Sequence, residues 1–222
     1  MVSAESMIEL VGIACAWIVY GALHTWLAAH AVKHWVEQHW PTIWPAYRLL
    51  FNLLAVVLLL PLLWITYRYD GASLWRVPSV IAWPALAIAL AGFAWSMKWY
   101  DGATFLGLRQ WRDRVGPDAE CEAFTLSPLH RHVRHPWYTL GLLVLWTRDL
   151  NAAWLLAAIV VTIYLAIGSR LEENKLIALY GSAYRRYRRR VPGLLPIPGR
   201  SLSKDEARML ESQAHQDFHP SR

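Results

Sequence analysis

Residues 47–67 read YRLLFNLLAVVLLLPLLWITY, a run whose one charged residue, Arg48, stands at its start. A helix of ~20 residues, rising ~1.5 Å per residue, crosses the ~30 Å hydrocarbon core of a bilayer. A stretch of this length and apolarity therefore predicts a membrane-crossing helix. Working outward, residues 7–29 and 79–99 form two more blocks of the same kind. Pro61 and Pro84 fall inside the blocks, where membrane helices accommodate kinks. The first block begins beside Glu5 and Glu9, lacks a basic leader and is longer than a signal-peptide core, so it is expected to stay in the mature protein.

The next apolar run, 137–147, is too short to cross alone and is followed at once by Arg148-Asp149. Residues 152–168 then form another block, ending at Arg170. Together, 136–169 predict a helical hairpin with Arg148-Asp149-Leu150-Asn151 at its far tip, where adjacent opposite charges offset each other's burial cost. The expected fold is all-α: a polytopic membrane protein of about five transmembrane helices, the last two a hairpin, with an amphipathic helix on the cytosolic side.

Composition supports this reading. Of 222 residues 56% are hydrophobic and only 17% charged, against about 25% charged in an average soluble domain, and 14 are Trp, a residue that collects at membrane interfaces. The net charge of +6 does not mark a nucleic-acid binder, because the basic residues lie between and after apolar blocks. Arg68, Arg76 and Arg148 fall on one side of the expected membrane and the rest of the 22 Lys and Arg on the other. The positive-inside rule then puts loops 30–46 and 100–135 and the C-terminus in the cytosol, with the N-terminus outside. Cys15 and Cys121 have neither disulfide-framework nor metal-site spacing and read as structural or incidental.

After Arg170, Leu176, Leu179, Tyr180, Ala183, Tyr184 and Tyr187 recur at helical spacing opposite Arg185, Arg186, Arg188, Arg189 and Arg190. Such a helix is expected to lie on the membrane surface with its arginines near anionic headgroups, ending at Val191-Pro192-Gly193. The expected organisation is one domain over 1–198, with its chemistry in 104–198, and a polar tail over 199–222. A capping box at Ser203 and Glu206 marks one short solvated helix in that tail.

Polar residues concentrate where the late helices meet the cytosol. His130-Arg131-His132-Val133-Arg134-His135-Pro136-Trp137-Tyr138 places three histidines and two arginines at a helix start, with Pro136 suited to its first turn. A hairpin brings its two cytosolic ends together, so this segment should neighbour Arg170, Glu172 and Glu173. Arginine, histidine, aromatic and carboxylate groups beside lipid suit a zwitterionic aromatic ligand. The competing reading is that they are snorkelling anchors and dipole-complementing charges. His24, Thr25 and His30 near the inner end of the first helix suit interhelical hydrogen bonds. No HExxH or CxxC spacing supports a metal site.

At these residues the chain resembles a superfamily. Arg134-His135-Pro136-Trp137-Tyr138 is similar to the RHPxY motif of integral membrane methyltransferases, which include isoprenylcysteine carboxyl methyltransferase and the phospholipid methyltransferases. Arg170-Leu171-Glu172-Glu173, with Tyr180-Gly181, Tyr184, Tyr187 and Val191-Pro192, resembles their second motif. Phe105-Leu106-Gly107-Leu108-Arg109-Gln110 and His24-Thr25-Trp26-Leu27-Ala28 resemble a narrower branch containing methanethiol S-methyltransferases and NnrU-type proteins.

The resemblance implies an S-adenosylmethionine site lined by His130, His132, Arg134, His135, Pro136 and Tyr138. Glu172 or Glu173 would take the cofactor's amino or ribose end, Arg170 would lie near the substrate, and Arg109, Gln110 and His24 would serve as branch-motif or substrate residues. Relatives often carry Gly-x-Tyr where this chain has Pro128-Leu129-His130, so His130 would replace that aromatic contact. The implied activity is methyl transfer to a small or lipophilic acceptor, a thiol before a carboxyl, in a bacterial inner membrane, with the bilayer as partner. The alternative is an NnrU-like haem- or metal-binding membrane protein, and a non-catalytic scaffold is the blander one.

Overall fold

The computed structural model describes residues 4–115 and 124–218. Cys121 lies outside the described residues. The chain runs α1 (Ala4–Leu27), α2 (His30–His39), α3 (Tyr47–Arg68), α4 (Ser79–Ser96), α5 (Gly102–Leu106), α6 (Leu108–Asp113), α7 (Pro136–Trp146), α8 (Ala152–Arg190) and α9 (Lys204–Asp217). Among the described residues there is no strand, only an isolated bridge between Trp75 and Leu150. Among the described residues, four stretches are long and apolar enough to cross a membrane: Ala4–Leu27, Trp44–Arg68, Ser79–Trp99 and Ala152–Arg190. The fold is that of an all-α polytopic membrane protein.

The α7 helix is apolar but has only 11 residues, about 16 Å of helix, as the sequence indicates. In contrast, α8 has 39 residues, far more than a bilayer core needs, with non-helical backbone at Gly181. Leu53, Leu60 and Trp64 on α3 and Val80, Trp83 and Ile88 on α4 are exposed large hydrophobics, surfaces suited to lipid.

The chain divides into two compact units. The first comprises 1–79, 100–120 and 148–164. Its core holds Ile13 and Trp17 of α1, Leu62 of α3, Tyr69, and Ala153 and Ala157 of α8. The two alanines are almost wholly buried, and small residues let membrane helices approach closely. Trp17 Nε1 donates to Thr66 Oγ1 (3.1 Å), and that hydroxyl donates to Leu62 O (2.7 Å), so the polar atoms in this core are satisfied. The 148–151 turn is held as well: Val77 N–H donates to Asp149 Oδ1 (2.9 Å), Asn151 Nδ2 donates to Tyr69 O (2.9 Å), and Arg148 lies over the Trp154 ring (4.5 Å).

The second unit comprises 80–99, 121–147 and 165–222. Gly92 of α4 faces Leu140 of α7, where a Cβ would come within 3.0 Å of both Leu140 methyls. Next to it Trp137 Nε1 donates to Ser96 Oγ (2.9 Å). The rest of the unit is built on Phe124, Tyr180, Ala183, Tyr184, Tyr187, Val191, Leu202, Leu210 and Ala214. This arrangement corrects two expectations. The apolar face of the tyrosine-rich helix is covered by α9 and Leu202 rather than left for lipid, and α9 is amphipathic and docked rather than solvated. Its capping box forms as expected, with Glu206 N–H donating to Ser203 Oγ (3.2 Å) and Ser203 N–H donating to Glu206 Oε2 (2.7 Å).

Candidate functional site

The candidate site lies in the second unit, where the start of α7 meets α8. Pro136 occupies the first turn of α7 and is buried, and His135 is its N-cap residue. The segment before it is pinned by chain that arrives almost 60 residues later. Arg134 N–H donates to Pro192 O (2.9 Å) and His135 N–H to Gly193 O (3.1 Å), while Thr139 Oγ1 donates to Leu194 O (2.6 Å). The Val-Pro-Gly stretch that ends α8 thus becomes a backbone partner for the RHP segment.

Glu173 is the hub. Its Oε1 accepts from Arg134 Nε (2.8 Å) and from His135 Nε2 (3.1 Å), with Arg134 Nη2 at 2.7 Å, and its Oε2 faces Arg188 Nε at 3.2 Å. The carboxylate is 3% exposed and Arg134 11%, whereas Arg188 on its other side is 45% exposed. Arg134 Nη1 also donates to Arg188 O (2.9 Å) and Val191 O. The hydrogen bonds around the carboxylate offset the desolvation that would otherwise make a buried charge costly.

Glu172 is different. It is 50% exposed, its Oε2 accepts from Tyr138 Oη (3.4 Å) and lies 3.5 Å from His135 Nδ1. The His135 and Tyr138 rings stack at 5.2 Å with planes 7° apart. One carboxylate is therefore used up inside the protein, and its neighbour is offered outward beside a flat pair of rings.

The other expected residues are placed as follows. His130 turns Nδ1 to Ser127 Oγ (2.8 Å), and its carbonyl accepts from Tyr187 Oη (2.7 Å). Burial, reinforced by the neighbouring His135, pushes the His130 imidazole down to about 4. His132 and Arg170 are exposed, and neither is one of the groups around Glu173. His24, Arg109 and Gln110 belong to the first unit. There, Tyr164 Oη accepts from Thr25 Oγ1 (3.3 Å) and is hydrogen-bonded to His24 Nδ1 (2.9 Å), and the His24 ring packs on Phe51 (4.8 Å).

The Phe105–Gln110 stretch forms a clip. Asp101 caps α5 through Ala103 N–H (3.0 Å) and pairs with Arg109 (2.8 Å). The Thr104 hydroxyl, then its N–H, that of Ala103 and the Arg109 charge hold Asp101 below the usual carboxylate range. Thr104 O accepts from Arg48 Nη1 (3.0 Å) and from Gln110 Nε2 (3.2 Å). Gln110 is fully buried, and among the described residues its Oε1 has no hydrogen-bond partner. Gly107, at φ +88°, makes the turn and packs so closely that a Cβ would lie 2.6 Å from Leu49 N.

Sequence reasoning missed Arg188 and the 191–194 carbonyls as parts of the cluster. The Val-Pro of the second motif was the available signal, since a carbonyl just past a helix end is free to accept a hydrogen bond. Among the described residues no group of His, Cys, Asp and Glu is arranged to hold a metal ion.

No family model matches the chain, and no solved structure matches it. Relatives are nonetheless clear. Methanethiol S-methyltransferase 2 of Bradyrhizobium diazoefficiens is 32% identical over 184 residues, 80% of this chain and 70% of that protein. The methanethiol S-methyltransferase of Mycobacterium tuberculosis is 34% identical over 199 residues, 82% of this chain and 76% of its own length. That of Pseudomonas deceptionensis is 30% identical over 187 residues, 80% and 69% of the two chains. With identity of this extent, the chain belongs to the methanethiol S-methyltransferase branch of the integral membrane methyltransferase family.

Proposed function

We propose that this protein transfers a methyl group from S-adenosylmethionine to a small or lipophilic thiol at the cytosolic face of the membrane. The observation that carries the reading is the division of labour between adjacent carboxylates, with Glu173 buried between two arginines and the His135 ring and Glu172 half-exposed beside the stacked His135–Tyr138 pair. The donor set fits the cofactor's chemistry. Glu172 suits an ammonium or ribose hydroxyls, and the ring pair offers an aromatic face. When bound, the cofactor supplies a methyl carbon on a positively charged sulfur.

The protein's own part is positioning. Glu173 holds His135 through Nε2, which fixes the ring plane on which Tyr138 stacks. Tyr138 Oη donates to Glu172 and restrains the carboxylate that takes the cofactor. Arg134 ties this group to the 191–194 segment, so the His135 side of the cradle is organised before anything binds. In an in-line displacement between two well-aligned groups, such alignment is worth up to roughly 7–11 kcal/mol. The thiol acceptor releases its proton to solvent and reacts as the thiolate, which needs no strong general base. Arg170, exposed where α8 leaves the hydrocarbon, is the group we assign to the acceptor side. We place the cradle on the cytosolic side because the basic residues concentrate there.

The test is calorimetric titration of the detergent-purified full-length protein with S-adenosylhomocysteine, with headspace detection of dimethyl sulfide when methanethiol and S-adenosylmethionine are supplied. Saturable binding that weakens in Glu172→Gln, together with dimethyl sulfide formation, is the expected result. A folded protein that binds neither nucleoside overturns the reading.

A further inference from the structure

The tail after residue 198 shows a contact that the methyltransferase motifs do not contain. Within α8 the helix breaks at Gly181, whose φ of +51° and ψ of −121° are open to glycine and strained for other residues. A Cβ there would meet only ordinary contacts, so the requirement is conformational rather than steric. The break starts a new helical segment, 182–190, and its first N–H groups need partners.

They find one 35 residues downstream. Asp217, the last residue of α9, accepts through Oδ2 from Ser182 N–H (3.2 Å), Ser182 Oγ (2.7 Å) and Ala183 N–H (3.3 Å). Gln213 Nε2 donates to the same Ser182 hydroxyl (2.7 Å). Phe218 stacks on Tyr180 at 5.7 Å, and Leu210 and Ala214 close over the tyrosines. A carboxylate here does the work of an N-cap side chain and faces the positive end of the segment's dipole.

The capped segment leads straight to the cluster around Glu173. It carries Arg188, which pairs with Glu173, and Tyr187, which donates to His130 O. Its C-terminal end presents the Arg188 and Val191 carbonyls to Arg134. Just beyond, Pro192 and Gly193 accept from the Arg134 and His135 amides.

We propose that Asp217 is a positioning residue for the Arg134–His135–Glu173 cluster, acting through the 182–190 segment that it caps. The C-terminal helix is then a strap on the donor site. The link to donor affinity rests on the reading of that cluster as the S-adenosylmethionine site. The mechanical link from strap to cluster does not.

The experiment compares full-length wild type with Asp217→Ala, Asp217→Asn and Gln213→Ala in detergent, by S-adenosylhomocysteine titration and by hydrogen exchange without ligand. Losing an N-cap shifts a local equilibrium by about 2- to 30-fold, typically about fivefold. Asp217→Ala is expected to weaken S-adenosylhomocysteine affinity by about that factor and to speed exchange in residues 130–137 to a similar degree, with α3 unaffected. Asp217→Asn, which keeps an acceptor oxygen, recovers most of both effects, and Gln213→Ala gives a smaller change in the same direction.

Faster exchange confined to 182–186, with 130–137 as in wild type, overturns the proposal. If wild type binds no S-adenosylhomocysteine, the donor-site reading fails, and exchange at 130–137 still decides whether Asp217 positions the cluster.

Discussion

Replacing Glu173 by Gln and Glu172 by Gln should separate stability from cofactor affinity, although the two residues are adjacent and similar in sequence context. Glu173→Gln keeps an acceptor oxygen and the side-chain shape but removes the charge facing Arg134, Arg188 and His135. Removing one partner from a buried ion cluster typically costs about 3–5 kcal/mol. Two features reduce that here: Arg134 keeps its bonds to the Arg188 and Val191 carbonyls, and Arg188 is 45% exposed, where an ion pair is worth at most about 1 kcal/mol. A loss of about 3 kcal/mol follows, or roughly 6–12 °C in melting temperature for a chain of this size.

Glu172→Gln acts on a half-exposed carboxylate with long contacts of 3.4–3.5 Å, so its stability cost is about 1 kcal/mol or less. A charge-assisted hydrogen bond to a ligand is worth about 1.5–3 kcal/mol, so S-adenosylhomocysteine affinity should fall on the order of 10- to 100-fold. The assay is thermal unfolding and calorimetric titration of both variants in one detergent. The reverse pattern, with Glu173→Gln binding weakly at unchanged melting temperature and Glu172→Gln unstable but binding normally, refutes the assignment.

Gly107→Ala should destabilise the first unit by about 2 kcal/mol or more, because a left-handed conformation costs about 1–2 kcal/mol and the added Cβ also meets Leu49 N at 2.6 Å; a melting curve checks it. His130 should make folding acid-sensitive: its native imidazole is held down at about 4 while the unfolded one takes up a proton near 6.5. Its contribution is therefore intact above about pH 6.5 and lost as pH falls from there to about 4, amounting to about 1–3 kcal/mol. The slope of stability against pH over that window should flatten in His130→Gln. In a cysteine-free background, Asp70→Cys should react with an impermeant maleimide from outside intact cells and Lys204→Cys only after lysis. Labelling of Lys204→Cys in intact cells would reverse the orientation derived from the basic residues.

Much of the architecture was legible in the chain because bilayer constraints are local. An uninterrupted apolar run such as 47–67 must be a helix if it crosses hydrocarbon alone, since a single segment can satisfy its own backbone there in no other way. The short reach of α7 and the capping box at Ser203–Glu206 were readable for the same reason, each being a matter of neighbours within a few turns. The tertiary structure decided what depends on contacts between distant segments. Glu172 and Glu173 are equivalent as letters, and only the packing of α8 against the RHP segment turns one toward two arginines and a histidine and leaves the other facing out. Arg188 reads as one of a run of headgroup-facing arginines, and only the folded chain shows it paired with Glu173. The tail reads as polar and free, yet its Leu210, Ala214 and Asp217 complete a core and a helix cap in α8. Hydropathy and charge act along the chain and survive in a one-dimensional record, whereas hydrogen-bond saturation and burial depend on where the rest of the molecule has gone.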